Sequence, residues 1–489
     1  MTDLVLSGGL LVDGTGAPAR LADVAISGGH VSAVGSVGPA TRTIDVSGRV
    51  VAPGFVDLHS HSDVTLLSNP SAPSKVRQGV TTEVVGNCGL GTFPFGGSVG
   101  ELRGAVSFLD RDPAVAWDWT DFVGYVAALS AAGPAVNVAA LVAHIPLRLA
   151  SGGDLVRLRG LLADALAAGA AGASTGLAYA PLHDVGEDEL VAIGETVAAA
   201  DRLFAWHLRD YADELLPSVE QAVRVAERTG CRTQISHLVG VGRRNWGKVK
   251  LALDRVDEAL NRGIDVGVDI YPYLAGSTVL AQLLPDLDDH PLEWSDITLA
   301  TGVPDELVGR TIADLDGDGA DVVRTLVAAH PTATMIAGGR SADDLLAVLT
   351  HPAAVVGSDG FALDAAGPTG EGLTHPRSYG CYPRLLTDYV GAGRSTLEQA
   401  IAKCTSLPAR RIGLTDRGAV AEGYAADLVV LDLERLADRS TYVTPHAYPE
   451  GVELVIVNGS VVVHNEDHAS TPAGVVLRLK QDRRQSWHE

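Results

Sequence analysis

The chain has 489 residues, of which 46% are hydrophobic and 20% are charged, the balance of an ordinary globular protein. This length suggests two to three domains, or one large barrel with attachments. A formal net charge of −23 disfavours nucleic acid and an anionic membrane surface as partners, although a local site can oppose the global charge.

The N-terminal segment, residues 1–51, has the pattern of short strands separated by tight glycine turns. DLVLSGGLLVDG and VAISGGHVSAVG each place a glycine pair between apolar runs, which predicts hairpins. The first cationic side chain is Arg20, so the basic start of a secretory leader is lacking. No apolar run approaches the roughly 20 residues that span a bilayer. We therefore expect no leader and no membrane span.

The middle of the chain, residues 52–414, alternates buried-looking strands with helical stretches. Eight strand candidates follow one another in a β–α rhythm, which predicts a (β/α)8 barrel. The alternative is an open doubly wound sheet, but no GxGxxG motif follows an early strand. The strand candidates are FVDLHSH, TTEVVGNCG, NVAALVAH, GASTGLAYAP, LFAWHL, RTQISHL, DVGVDIYPY and AVVGSDG.

Two further segments complete the predicted architecture. Residues 276–350 separate the seventh and eighth strands and are interpreted as an excursion above the barrel, a candidate lid. Residues 415–489 return to the β-rich texture of the N-terminus, with Asn458-Gly459 as a two-residue hairpin turn. We expect residues 1–51 and 415–489 to build one small β-sandwich that brings the two termini together.

Metal-ligating and aromatic residues stand at the carboxyl ends of the predicted strands, where barrel enzymes carry their chemistry. His59 and His61 can face one ion, since residues two apart in a strand point the same way. An isolated HxH pair is weak evidence. Each of the other seven predicted strands also ends in a metal-ligating or aromatic residue, however, and this favours a metal site. In chain order these residues are His59, His61, Cys88, His144, Tyr179, His207, His237, Tyr271, Tyr273 and Asp359.

The four cysteines lie far apart and form no CxxC motif, which predicts a reducing, cytoplasmic compartment. Cys88 stands out because it closes a strand inside the glycine-rich GNCGLG, where the backbone can approach a site closely. A two-metal site needs an anionic ligand between its ions, and a carboxylated lysine on the fourth strand is one solution, but the strand-four segment contains no lysine. Cys88 can supply the negative charge instead, because a metal deprotonates a coordinating thiol. Cys231, Cys381 and Cys404 are interpreted as inert core residues.

The segments GFVDLHSHSD, QGVTTEVVGNCGLG, STGLAYAP, ISHL, HPRSYGCYPR and GYAADLVVLD resemble the N-acyl-D-amino-acid deacylase (D-aminoacylase) branch of the amidohydrolase superfamily. The resemblance covers nearly the whole chain and implies a zinc-dependent barrel. It implies that Cys88, His207 and His237 bind zinc tightly, and that His59 and His61 form a second, weaker divalent-metal position. It also implies that Asp359 is the catalytic acid/base and that the residues contacting substrate are Tyr179, Tyr273 and Arg377.

The chain departs from this family in the substrate pocket. The family often has a lysine two residues after the strand-six histidine, where it helps to hold the substrate carboxylate; here the residue is Val239. A valine cannot bind an anion. Arg243, Arg244 and Arg377 are candidate replacements, since arginine holds carboxylates bidentately, although Arg243 and Arg244 also fit a solvated loop.

The leading hypothesis is zinc-dependent hydrolysis of a small linear amide, an N-acyl-D-amino acid. His144 is a candidate oxyanion donor, although a structural hydrogen bond would equally explain it. Val239 supports an alternative within the superfamily: a cyclic amide, a carbamoyl group, or an amide without a free α-carboxylate. A non-catalytic barrel that uses zinc for stability is less favoured, because structural zinc needs four protein ligands and no spare acid. Oligomeric state is left open.

Overall fold

The computed structural model describes residues 2–465 and 467–480 and contains the predicted barrel. Eight strands pair in parallel in chain order, and a parallel bridge between Ser60 and Gly360 brings the first and eighth strands together. The fold-class prediction is therefore confirmed. From first to eighth, the barrel strands are Phe55–Asp57, Val80–Val85, Asn137–Ala143, Gly172–Gly176, Leu203–His207, Arg232–Ile235, Val266–Ile270 and Ala354–Val356.

Amphipathic helices cover the outside of the barrel. Leu215–Thr229 shows why such segments are helical: its buried residues recur at helical spacing, and Gly230 ends it in the left-handed conformation that suits glycine. The α-helices are Thr65–Ser68, Pro73–Val76, Val99–Ala105, Phe122–Ala132, His144–Ser151, Leu155–Ala167, Glu187–Ala199, Leu215–Thr229, Lys248–Asn261, Gly319–Ala329, Ala342–Thr350, Arg377–Arg384, Leu397–Cys404 and Ser406–Ile412. Among the described residues, no helix has the length and apolar character to cross a bilayer.

Two sheets lie outside the barrel, and the larger of them combines strands from both ends of the chain. A four-stranded sheet contains Thr2–Ser7, Asp23–Ser27, His30–Gly35 and Ala40–Asp45. A seven-stranded sheet contains Leu10–Leu11, Arg20–Leu21, Val50–Pro53, Leu428–Leu431, Val452–Val457, Ser460–His464 and Asp467–His468. Residues of both sheets share one apolar core, as a sandwich requires.

The limits of these units stay a prediction. The strand Val50–Pro53 spans the predicted boundary between residues 51 and 52. Its pairing with Leu428–Leu431 makes the whole strand part of the seven-stranded sheet. Asn458 and Gly459 both have positive φ between the strands Val452–Val457 and Ser460–His464, the conformation of a type I′ turn. The part of the predicted C-terminal segment at 466 and 481–489 lies outside the described residues.

The excursion between the seventh and eighth strands has its own small core. Its three antiparallel strands are Gly276–Val279, Ile297–Leu299 and Thr334–Ala337. Leu280, Ile312 and Val323 belong to a separate apolar cluster within it. Its movement as a lid stays a prediction. Short 3₁₀ helices are Ser107–Leu109, Arg243–Asn245, Leu280–Asp286, Trp294–Asp296, Asp305–Leu307, Ile312–Asp314 and Pro368–Gly370, and a π-helix spans Leu385–Val390.

Candidate metal centre and active site

The predicted ligand residues meet at the carboxyl end of the barrel. His207 is the last residue of the fifth strand, while the others follow the ends of the first, second, sixth and eighth strands by two to four residues. Parallel strands place these ends at one face, so residues up to 300 positions apart in the chain converge there. The converging side chains, all buried, are His59, His61, Cys88, His207, His237 and Asp359.

Two groups of donor atoms share the sulfur of Cys88. In the first group, Sγ of Cys88 lies 3.5 Å from Nε2 of His237, which lies 3.1 Å from Nδ1 of His207. The second group joins Cys88 to His59, His61 and Asp359, with Sγ 3.1 Å from Nε2 of His59. Tetrahedral zinc with its usual bond lengths separates its ligand atoms by roughly 3.3–3.6 Å. Both groups are therefore compact enough to hold an ion.

The chemistry of the first group fits zinc. One sulfur and two imidazole nitrogens are the donor types that zinc prefers. Burial lowers the pKa of His207 to about 3, so its imidazole is neutral and can act as a ligand. Burial also raises the pKa of Cys88 to about 11, so the thiolate needs a cation beside it. A metal ion is the cation that this donor set suits.

Backbone strain is concentrated at the same residues. Cys88, His237 and Asp359 have φ values of 56°, 32° and 53°, in the left-handed region that side chains other than glycine rarely adopt. Such strain persists only where the surroundings enforce it, and it clusters at functional sites. A Cβ at Gly176 would lie 1.9 Å from the carbonyl oxygen of Cys88, so glycine allows the Cys88 loop to pack against the fourth strand.

Asp269, on the seventh strand, orients two of the histidines and was missed by the sequence analysis. Its Oδ1 accepts hydrogen bonds from Nδ1 of His59, at 3.0 Å, and from the backbone N–H of His237, at 2.8 Å. A carboxylate behind a ligating histidine fixes the ring and its tautomer. The signal was present in the sequence, since Asp269 is the only acid in the apolar strand VGVDI.

Asp359 lies between His61 and Arg377. Nε2 of His61 donates to Oδ1 of Asp359 at 3.0 Å, and Nη1 of Arg377 donates to Oδ2 at 2.7 Å. Burial opposes ionisation of Asp359, but the charges of Arg377 and His59 and the His61 hydrogen bond hold its pKa well below the ordinary value. Asp359 is therefore a carboxylate that can accept a proton.

A cavity of about 340 Å³ opens directly onto this cluster. Cys88, His61, His207, His237 and Asp359 line its inner end. The excursion supplies much of the opposite wall, through residues that include Thr278, Leu283, Leu292, Met335 and Arg340. The hydroxyl of Tyr179 lies 3.0 Å from that of Thr278 and joins the fourth-strand loop to this wall. The volume is in the range of small-molecule sites.

Two predicted site residues lie away from this cavity. Tyr273 donates its hydroxyl hydrogen to Oδ2 of Asp438 at 2.8 Å, and Tyr271 lines the cavity instead. The strand ends at Ile270, so the turn through Pro272 sets the directions of the two tyrosine side chains, which have different neighbours. His144 begins a helix, with its ring nitrogens 2.9 Å from Oγ1 of Thr175 and 2.8 Å from Oε1 of Glu189, as in the structural alternative considered for it.

The candidate arginines also differ in their surroundings. Arg377 is buried, donates to Asp359 and lies 3.2 Å from the carbonyl oxygen of Ser277. Arg244 pairs with Asp213 and Asp289 near the surface. The guanidinium of Arg243 stacks over the ring of Trp246, 5.4 Å from its centre. Arg243 and Arg244 line a separate outer pocket and do not reach the metal-ligand cluster.

Comparison with known proteins places these features in a family. The model of the amidohydrolase family matches residues 42–222 and 246–463. The chain is 38% identical to the N-acyl-D-glutamate deacylase of Alcaligenes xylosoxydans xylosoxydans over 97% of this chain and 96% of that protein. It is 34% identical to the D-aminoacylase of the same organism over 97% of each. The crystal structure of N-acyl-D-glutamate deacylase from Bordetella bronchiseptica, complexed with zinc and a phosphonate inhibitor that mimics the tetrahedral intermediate, superposes with a TM-score of 0.88, 36% identity and coverage of 98% of this chain and 99% of that one.

Proposed function

The chain belongs to the amidohydrolase family, and on that premise we propose that it is a zinc-dependent hydrolase that converts an N-acyl-D-amino acid into a D-amino acid and a carboxylate. One observation carries the proposal: a cysteine, two histidines and an ionised aspartate converge at the inner end of one cavity. The relatives named for this reaction match along nearly the whole chain. The substrate is a small molecule, and the net charge of −23 argues against nucleic acid as a partner.

The first donor group holds the ion of the proposed enzyme. Cys88, His207 and His237 would supply three protein ligands, the number found in catalytic zinc sites, and all three line the cavity. Zinc bound there supplies a Lewis acid for the amide carbonyl and lowers the pKa of water to roughly 7. His59 and His61, together with Cys88 and Asp359, form the second and weaker divalent-metal position.

Asp359 moves the protons in the proposed reaction. Its carboxylate is ionised, faces the cavity and is held at both oxygens, by His61 and Arg377. It can therefore take a proton from the attacking water and deliver it to the departing amide nitrogen. Acid–base assistance of this kind contributes about 10²–10⁴-fold in rate.

Substrate contacts come from the cavity wall. Tyr179 lines the cavity beside the ligands, with its ring centre 4.7 Å from that of His207, and is positioned to touch the acyl group or the tetrahedral oxyanion. Arg377 acts on the substrate through Asp359, to which it is bonded. The placements of Tyr273 and His144 support no role for either in contacting substrate.

A second candidate function is hydrolysis of an amide without a free α-carboxylate, a carbamoyl group or a cyclic amide. Val239 favours it, because this valine lines the cavity at the position where the family often has a carboxylate-binding lysine. A zinc barrel without activity is disfavoured by Asp359, an acid that a purely structural site does not need.

A reducing, cytoplasmic location goes with this proposal. All four cysteines are free and buried, including the one assigned to zinc, and a thiolate ligand is best preserved where thiols stay reduced.

The proposal is tested by supplying the zinc-loaded protein with N-acetyl-D-amino acids, their L-enantiomers and carboxylate-free N-acetyl amides, and by measuring acetate release. We expect release from D-configured substrates and at least tenfold lower kcat/KM for the L-enantiomers. Release from the carboxylate-free or cyclic amides alone would replace the proposal by the second candidate function. No release from any of them by zinc-loaded protein would refute both.

A further inference from the structure

Arg340 is a cation in the cavity wall that has no counter-ion among the described residues. It is partly buried and lies just after the last strand of the excursion, Thr334–Ala337. Its Nη1 donates to the hydroxyl oxygen of Tyr271 at 2.8 Å. Within residues 2–465 and 467–480, no carboxylate lies within ion-pair distance of its guanidinium, and Tyr271 is its hydrogen-bond partner. Most of its five N–H donors are therefore available to a ligand.

Two other arginines near the cavity are already engaged. Arg377 is neutralised by Asp359 at 2.7 Å. Arg209 directs both terminal nitrogens to backbone carbonyl oxygens, those of His183 and Val185. Among the described residues, Arg340 differs from Arg377 because no carboxylate neutralises it, and from Arg209 because its guanidinium has a single side-chain acceptor, the hydroxyl of Tyr271. Arg340 also lines the space that the substrate must occupy.

The surroundings hold the guanidinium of Arg340 in place. Tyr271 is flanked by two guanidinium groups, with Cζ of Arg340 5.2 Å and Cζ of Arg377 4.6 Å from its ring centre. A Cβ at Gly276 would lie 2.2 Å from Nη2 of Arg340, so the absence of a side chain at this position makes room for the guanidinium. A fixed guanidinium is well suited to bidentate binding of a carboxylate.

We propose that Arg340 binds a carboxylate of the substrate and thereby replaces the lysine that Val239 has displaced. The inference rests on the proposed function, because it names the group that recognises the substrate at the same site. Val239 and Arg340 line one cavity from different walls, so the positive charge has moved from the sixth-strand loop to the excursion. The carboxylate belongs either to the α-position or to the amino-acid side chain.

Four matched substrates separate these sources. N-acetyl-D-glutamine carries only the α-carboxylate, N-acetyl-D-isoglutamine only the side-chain carboxylate, N-acetyl-D-glutamate both, and N-acetyl-D-glutamic diamide neither. In Arg340→Met we expect KM to rise roughly 10- to 100-fold for substrates with the carboxylate that Arg340 binds, as for a lost charged hydrogen bond. For the diamide, the rise in KM should be much smaller. Arg340→Lys should recover part of the loss, and adding Val239→Lys to Arg340→Met should recover more.

The control variant is Arg244→Met, which removes an arginine that is paired with Asp213 and Asp289 outside this cavity. It should not change the ratio of kcat/KM between carboxylate substrates and the diamide. Zinc content and circular dichroism of every variant show whether the protein is intact. An equal loss for all four substrates in Arg340→Met, or no loss, would overturn the proposal, since a residue that only braces Tyr271 does not discriminate by charge.

A binding measurement separates this inference from the proposed function. N-methylsulfonyl-D-glutamine and N-methylsulfonyl-D-isoglutamine keep one carboxylate each and lack the amide that is hydrolysed. Calorimetric titration into zinc-loaded protein should show binding of one of them that weakens at least tenfold in Arg340→Met. If the wild type cleaves none of the amides but shows this pattern, the proposed function fails and the Arg340 assignment stands. If it cleaves the amides and the pattern is absent, or if it binds neither ligand, the Arg340 assignment fails.

Discussion

Nζ of Lys75 lies 2.7 Å from Oδ2 of Asp57, and both side chains are completely buried. Lys75 also approaches Glu83 at 3.3 Å and donates to Oγ of Ser358 at 2.8 Å. Asp57 in turn accepts a hydrogen bond from the backbone N–H of Ser358. The pair therefore ties the end of the first strand to the second strand and to the residues after the eighth, close in sequence to the residues that form the metal centre.

Removing the Lys75 charge should strongly destabilise the barrel. In Lys75→Met, Asp57 and Glu83 stay buried without their cation, and breaking a buried ion pair costs about 3–5 kcal/mol. Denaturant unfolding of the zinc-loaded protein measures this loss. The control is Lys250→Met, on the exposed face of Lys248–Asn261, which should change the free energy of unfolding by less than about 0.5 kcal/mol. Equal stability of the two variants would mean that the network does not hold the strands.

The sequence predicted the site best for residues whose position follows directly from the barrel topology. Strand ends of a parallel barrel meet at one face, so the β–α rhythm alone predicted that His59, Cys88, His207 and Asp359 would converge. Side-chain direction beyond a strand end is set by the turn that follows. The placement of Tyr273, which the family resemblance assigns to the substrate site, therefore does not follow from its position after Ile270.

Contacts between separate units could not be derived from the sequence pattern. Arg340 reaches the cavity only because the excursion folds onto the barrel, and no sequence feature near position 340 predicts this contact with the barrel. The Lys75 network depends on how a four-residue helix packs beneath two strands. In both cases the sequence shows the charged residue, but it does not show which residues surround it in the fold.

Replacing Cys88 by alanine should remove zinc and activity together. Cys88 supplies the sulfur that both donor groups share, so neither group keeps its anionic bridge in the variant. Bound zinc is measured by elemental analysis after dialysis, and activity by acetate release. Cys231→Ala is the matched control, since Cys231 is equally buried but lies before the sixth strand, at its amino end. Full zinc and full activity in Cys88→Ala would exclude the ligand assignment.

Replacing Asp359 by asparagine should abolish turnover while the first donor group keeps its zinc. Cys88, His207 and His237 are untouched by the change, but the amide of asparagine cannot accept the proton of the attacking water. We expect kcat to fall at least 10²-fold with about one zinc per chain retained. Asp343→Asn, on the exposed first turn of Ala342–Thr350, should leave both quantities unchanged. Normal kinetics in Asp359→Asn would refute its role as acid/base.

Replacing His61 by alanine should separate the two metal positions. His61 belongs only to the second donor group, which it shares with Asp359, while the first group remains complete. Titration with zinc should therefore saturate near one ion per chain in the variant and near two in the wild type. The tightly bound zinc should survive dialysis in both proteins. Saturation of the variant at two ions, or loss of its tightly bound ion, would contradict the division into two groups.

The two tyrosines after the seventh strand should behave differently when their hydroxyl groups are removed. Tyr271→Phe deletes the oxygen that receives the Arg340 hydrogen bond, but Arg340 keeps its charge. KM for substrates with the carboxylate recognised by Arg340 should therefore rise only about 2- to 10-fold. Tyr273→Phe leaves the partly buried Asp438 without this donor, so it should cost about 1–3 kcal/mol of stability and change kcat/KM by less than about twofold. Steady-state kinetics and denaturant unfolding of both variants provide the comparison, in which each variant is the control for the other. A larger kinetic defect in Tyr273→Phe than in Tyr271→Phe would reverse the assignment and return Tyr273 to the substrate site.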